Sequence, residues 1–185
     1  MRGRKLLICS SGLPGAGKGV VAEAARRLGL YVVVMGDIVR RETAKIGLEP
    51  NVRNTAKLMI EYRRVYGKDI FARLTLDLVE KLGENVVLID GVRSPEELEY
   101  FRKKGWNTVV IAVLASPKER FKRLRERKRV DDIKTYEDFV KRDKREIAVG
   151  VDKVLLYADK FLVNEGKTKE EAIKEAISLI KDILE

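Results

Sequence analysis

Two rhythms of apolar residues alternate along the chain. Short continuous runs rich in Val, Ile and Leu fall at 6–10, 31–35 (YVVVM), 86–89, 108–114 (TVVIAVL) and 160–163. Between them, apolar residues return every three or four positions, at 18–28, 37–46, 50–66, 69–82, 95–104, 118–129, 135–149 and 168–184. The first rhythm predicts strands buried on both faces; the second predicts amphipathic helices, the first of them stopped by Gly29. Strands of that kind separated by helices imply a parallel sheet covered on both sides, an α/β fold. No repeat, low-complexity tract or linker divides the sequence. Residues 1–185 are therefore expected to form one domain, with excursions at about 40–66 and 127–140.

The remaining bulk properties narrow the chemistry. The apolar stretch 6–9 is too short for a signal peptide or membrane span, and no later stretch approaches the roughly 18 apolar residues a span needs. A soluble, cytoplasmic protein with no membrane partner is expected. Cys9 is the single cysteine and the chain has no histidine. Disulfides, zinc clusters, Ser-His-Asp triads and imidazole bases are thereby excluded. Lys and Arg number 39 against 29 Asp and Glu, a net charge of +10. That excess suits anionic partners such as nucleotides, coenzymes or nucleic acid. Charged residues make up 37% of the chain, above the roughly 25% usual in globular proteins, and resemble the ion-pair-rich surfaces of thermophiles.

One motif gives the charge a purpose. Gly12-Leu13-Pro14-Gly15-Ala16-Gly17-Lys18-Gly19 follows the first strand and opens the first helix. Its glycines let the backbone curl so that N–H groups and the helix N-terminus form an anion cradle, with Lys18 reaching the β and γ oxygens of a nucleotide. This is the G-x-x-x-x-G-K phosphate loop in its strand–loop–helix setting. ATP is the expected donor, bound by residues 12–19 and Val20. Position 19 is Gly where a magnesium-binding Ser or Thr is common, so Mg²⁺ must be held by nucleotide, water and a carboxylate elsewhere.

Candidate partners for that loop lie at other strand ends. Asp37 and Arg40 follow the second strand, on the sheet edge where ligands of open α/β folds sit, and being three apart they share one helical face. Asp90 ends the third strand, where a carboxylate can hold magnesium through water. Arg63 and Arg73, in the basic region before that strand, are further candidates for the acceptor. Arg120, Arg123 and Arg127 share a face of the basic 118–129 helix, and Arg142 and Arg145 are positioned to close over phosphates. A capped helix, surface cations and a solvated face are the plainer explanations of these residues.

GLPGAGKG at 12–19, GDIVR at 36–40 and DGVR at 90–93 resemble, in order and position, the adenylate kinase motifs GxPGxGKG, GDxxR and DGxPR. ADKFLVNEG at 158–166 is similar to the end of dephospho-CoA kinases. Through MGDIVR, YGKDIFARL and IDGVRS, nearly the whole chain resembles an archaeal family of adenylate-kinase-related nucleotide kinases. The resemblance implies a three-layer P-loop fold, with a parallel sheet of about five strands in the order 2-3-1-4-5, a short lid and a helical acceptor-binding excursion. It places Arg40 and Arg93 on the acceptor phosphate, with Gly91 beside them, and Arg123 and Arg127 on the donor adenine and its phosphates. It puts Asn164 and Gly166 at the adenine edge. In the adenylate kinase pattern position 20 is Thr, where Val20 stands here.

The leading expectation is a nucleoside monophosphate kinase acting on an AMP-like acceptor, with Lys18, Arg93, Asp37 and Arg127 as its catalytic groups. The alternative is dephospho-CoA kinase or another hydroxyl kinase, in which Asp37 would take a proton. Asp37 would also help Asp90 hold the metal. An ATP-gated RNA or ribosome-assembly factor is a third reading. It is less favoured because the cations gather where nucleotide phosphates would lie and no aromatic stacking platform is visible.

Overall fold

A computed structural model describes residues 5–126 and 135–185. Five strands form one parallel sheet in the order β2-β3-β1-β4-β5. They are β1 (Leu6–Ser11), β2 (Tyr31–Val34), β3 (Val86–Asp90), β4 (Asn107–Leu114) and β5 (Lys160–Val163). The expected order and every expected strand are present.

The sheet's two faces follow from the two-residue period of its strands. In central β1, Leu6 and Ile8 pack toward α1 (Gly19–Arg27) and α9 (Lys169–Leu184), with Ala24, Ile173 and Ile180. Leu7 and Cys9 point the other way. That side holds α2 (Met35–Lys45), α3 (Val52–Tyr66), α4 (Ile70–Leu82) and α5 (Pro95–Lys103), and its core includes Phe71, Phe101 and Trp106. Cys9 is fully buried, and burial pushes its thiol pKa far up, so it stays a neutral packing group.

After β4 come α6 (Pro117–Glu126), α7 (Tyr136–Val149) and α8 (Val151–Leu156). Leu124 of α6 and Phe139 of α7 are buried against each other with Phe121 and Val140 in a small separate core. This binds the basic helix to α7 beside the sheet's carboxyl edge. The expected lid at 127–140 falls largely on 127–134, outside the described residues; its end, from Tyr136, is the first turn of α7.

Two boundaries depart from expectation. α2 begins at Met35 rather than at position 37, so Gly36 and Asp37 already lie in its first turn. Helix α8 was not expected at all; Gly150, with φ of 116°, ends α7 and starts α8. Among the described residues no helix is long and apolar enough to cross a membrane.

Candidate active site

The loop 12–18 leaves β1 at the sheet's carboxyl edge and enters α1 at Gly19. Close approach of other elements sets its glycines. A Cβ on Gly12 would lie 2.7 Å from the carbonyl of Val113, and one on Gly15 would lie 2.6 Å from that of Arg120. At Gly17, φ is +89° and a Cβ would meet Asn164 Nδ2 at 2.2 Å. Such a backbone is open only to residues without a side chain. Lys18 Nζ donates to the Gly12 carbonyl at 2.6 Å, folding the lysine back along its own loop. Burial lowers the pKa of this ammonium, opposed by Asp90 and reinforced by Arg93. The cradle and this lysine fit a nucleotide's phosphate tail.

Neighbouring elements hold the loop from outside. Asn164, which is 4% exposed, donates from Nδ2 to the Ala16 carbonyl at 2.8 Å. Arg123 donates to the carbonyls of Ala16 and Asn164 and to Glu119. Arg120 donates to the Pro14 carbonyl, makes a two-pronged pair with Asp143 at 2.8 and 2.6 Å, and lies over the Phe139 ring. Arg120 is thus a buried clasp rather than part of an open cationic face, and Arg123 is committed to loop carbonyls rather than extended over an adenine site. Val20 packs into the α1–α9 core, so its side chain contributes to the fold. Leu13 and Pro14 form the loop's outer turn, and the Leu13 carbonyl accepts from Ala16 N–H. Gly166 has φ of +70° with open space around it. Arg127 lies outside the described residues.

Position 19 behaves differently from the other loop glycines. Nothing lies within 4 Å of a Cβ built there. Gly19→Thr is therefore expected to fold normally and to restore the hydroxyl that usually binds magnesium. The expected result is a lower Mg²⁺ concentration for half-maximal nucleotide binding, by about threefold or more, read by titrating ATP affinity against metal.

Residues from β1 and β3 meet beside the loop. Ser10 Oγ donates to Asp90 Oδ1 at 2.6 Å, while Gly91 and Val92 N–H both donate to the Ser10 carbonyl. Ser11 Oγ donates to the Val92 carbonyl at 2.7 Å. These bonds fix the turn that delivers Arg93. No cluster of three or more metal-ligating side chains occurs among the described residues. The donors present fit a magnesium held mainly by phosphates and water, with Asp90, at the end of β3 beside the loop, as the available carboxylate.

Beyond Arg93 opens a cavity of about 830 Å³ between α2, α3 and α7. Arg40, Arg63, Arg93 and Arg142 line it, as do Arg145 and Glu146. Arg93 contacts the Met59 sulfur and lies 3.5 Å from Glu146. Burial alone would raise the Glu146 carboxyl; the charges of Arg93, Lys18, Arg142 and Arg63 outweigh that and hold it below its ordinary value. Arg63 donates to the fully buried Glu97 at 2.8 Å, stacks on Phe71, and leaves Nε and Nη1 buried without partners. Glu97 also accepts from the N–H groups of Arg93 and Ser94.

Not every expected residue reaches this cavity. Asp37 pairs with Arg40 on the exposed face of α2 and does not line the cavity. Arg73 bonds the Tyr66 carbonyl and pairs with Asp69, which ties the α3–α4 corner together instead of meeting an acceptor. Gly91 serves the turn, with φ of +98°. Sequence reasoning missed Glu146, Glu97, Asp143 and Ser10. Only Glu97 carried a signal, the Ser94-x-x-Glu97 spacing that reads as a capping box.

Comparison with known proteins agrees with this fold. Residues 11–140 match a family model described as an AAA domain. In solved structures the fold recurs in TT1252 from Thermus thermophilus, with a TM-score of 0.66 at 19% identity, covering 98% of this chain and 99% of that one. It recurs in shikimate kinase from Bacteroides thetaiotaomicron, with a TM-score of 0.61 at 16% identity, covering 97% and 98%. An archaeal relative, a UPF0200 protein of Staphylothermus marinus, is 44% identical over 97% of this chain and 93% of its own length. A second, from Methanopyrus kandleri, is 44% identical over 97% and 91%. With this match along nearly its full length, the chain belongs to the UPF0200 protein family and carries an AAA domain over residues 11–140.

Proposed function

We propose that this protein is an ATP-dependent phosphotransferase whose acceptor is itself a phosphate monoester, of the nucleoside monophosphate kind. The observation that carries this reading is the cavity lined by Arg63, Arg93 and Arg142, the last two near enough for their charges to act on the part-buried Lys18 of the phosphate loop. In the reaction, an oxygen of the acceptor phosphate bonds to the γ-phosphorus. The bond to the β–γ bridging oxygen breaks, and the electron pair leaves with ADP. A phosphate oxyanion needs no base, so positioning and cations supply the rate. Lys18, Arg93 and Arg142 would hold the charge that spreads over the transferring group. Bound magnesium would neutralise part of the triphosphate charge. The motif resemblance to adenylate kinases supports the same assignment.

The second reading is transfer to a hydroxyl, as in dephospho-CoA kinases, and the fold shared with proteins named shikimate kinase favours a small non-nucleotide acceptor. Asp37 decides between the two. Its carboxylate is exposed and paired with Arg40, a poor station for a general base. Asp37→Asn is expected to change phosphorylation of AMP by less than about threefold, since an exposed ion pair contributes little. The check is a steady-state assay with AMP, CMP, UMP and dephospho-CoA as acceptors, with ATP affinity measured separately. A loss of more than about a hundredfold with unchanged ATP binding would move the assignment to a hydroxyl acceptor.

A further inference from the structure

Helix α3 has an unusual division of its residues. Leu58 is the one fully buried side chain of its fifteen, yet the helix carries an apolar stripe. Val52, Ala56, Met59 and Ile60 recur at helical spacing and line the cavity, with Arg63 one turn further on. Val39 of α2 and Val149 of α7 also line it. The stripe therefore belongs to the cavity wall rather than only to the core, and it leads to the arginine end.

The polar atoms of this wall are unevenly placed. The Thr55 hydroxyl spends its proton on the helix carbonyls of Asn51 and Val52. Ser94 Oγ is buried and engaged in the capping box that starts α5, next to Arg93. Among the described lining residues, no Asn, Gln, Asp or aromatic side chain is present to read a base edge or stack on a ring. Arg63, Arg93 and Arg142 gather around Glu146; Arg40, Arg64, Lys68 and Arg145 add further cations to the lining, and the α3 stripe supplies the apolar contact.

We propose that the groove holds the apolar body of a phosphate monoester and reads it by contact rather than by hydrogen bonds, so that aliphatic phosphates are accepted as well as nucleoside monophosphates. This rests on the phosphotransfer reading above and extends it to the acceptor's class. The anionic head lies against Arg63, Arg93 and Arg142, and its aliphatic body lies along α3. The step is the one already described, with the alkyl phosphate oxygen bonding to the γ-phosphorus, ADP leaving, and an alkyl diphosphate as product. A site that recognises by burial alone discriminates weakly between bodies of similar size, whereas one built to pair a donor rejects the analogue lacking it by orders of magnitude.

The test uses the full chain with ATP and magnesium, and hexyl phosphate as the probe beside AMP, GMP, CMP and UMP. All five acceptors are expected to show kcat/KM within about tenfold of one another. Ile60→Asn should raise KM for hexyl phosphate by about fivefold, the loss of one aliphatic contact. Ile60 is 63% exposed, so the variant folds, and unchanged thermal melting verifies this. A single nucleotide preferred by more than about a hundredfold, with hexyl phosphate inert and unbound in calorimetry, overturns the proposal while phosphotransfer stands. Hexyl phosphate that binds in competition with AMP but is never phosphorylated, with AMP equally inert, keeps the groove's assignment and removes the transfer reaction.

Discussion

Lys18→Ala is expected to lower kcat/KM for phosphoryl transfer on the order of a thousandfold, with the fold intact. The size follows from where the charge sits. Lys18 Nζ is held on the Gly12 carbonyl inside the loop, so little reorganisation precedes contact with the γ-phosphoryl oxygens. Burial lowers its pKa, which means the folded state binds this proton less well than the unfolded chain does. At neutral pH the protonated lysine therefore opposes folding, and removing it should leave the melting temperature unchanged or raise it. Lost transfer with unchanged or higher stability separates a missing phosphate cation from a damaged protein. Turnover within tenfold of the parent, with ATP affinity retained, contradicts the assignment of the loop.

Glu97→Ala should have the largest effect on stability. The carboxylate is fully buried, pairs with Arg63 and accepts the N–H groups of Arg93 and Ser94 at the start of α5. Its loss leaves a nearly buried guanidinium without compensation, and breaking such a pair from one side costs about 3–5 kcal/mol. For a chain of this size that corresponds to a fall of roughly 6–20 °C in melting temperature. The same carboxylate joins α3 to the turn after β3, so acceptor KM should rise alongside. Thermal denaturation and acceptor kinetics check both. A melting point within a degree or two of the parent would show that Arg63 finds another partner.

The strands were legible because β-branched runs on a doubly covered sheet have few other interpretations. β3 and β5 lie within one residue of their expected bounds. Helix α8 was hidden because six residues are too few to show a period, and the left-handed Gly150 that starts it reads only as a stop. The early start of α2 was hidden by YVVVM, whose Met35 continues an apolar run although its backbone has already turned. At the candidate site, the glycine spacing pointed to the loop, the end of the third strand to Asp90, and the DGVR resemblance to Arg93. Pairings between distant residues were invisible: Arg120 with Asp143, 23 residues on, and Arg63 with Glu97, 34 residues on. An arginine on a basic helix face reads as solvated until the aromatic ring and carboxylate that bury it are placed. For Arg73 and Asp37 the opposite happened, since a local partner absorbed each charge at the surface.

Helix α7 touches both the support of the phosphate loop and the cavity beyond Arg93. Asp143 grips Arg120, which holds the Pro14 carbonyl of the donor loop. One residue earlier and three later, Arg142 and Glu146 line the cavity proposed for the acceptor. A rigid rod spanning two ligand seats cannot shift at one without tugging the other. Were nucleotide and acceptor to occupy these two places, any displacement of α7 by one would change the affinity for the other, and the two effects would be equal in size.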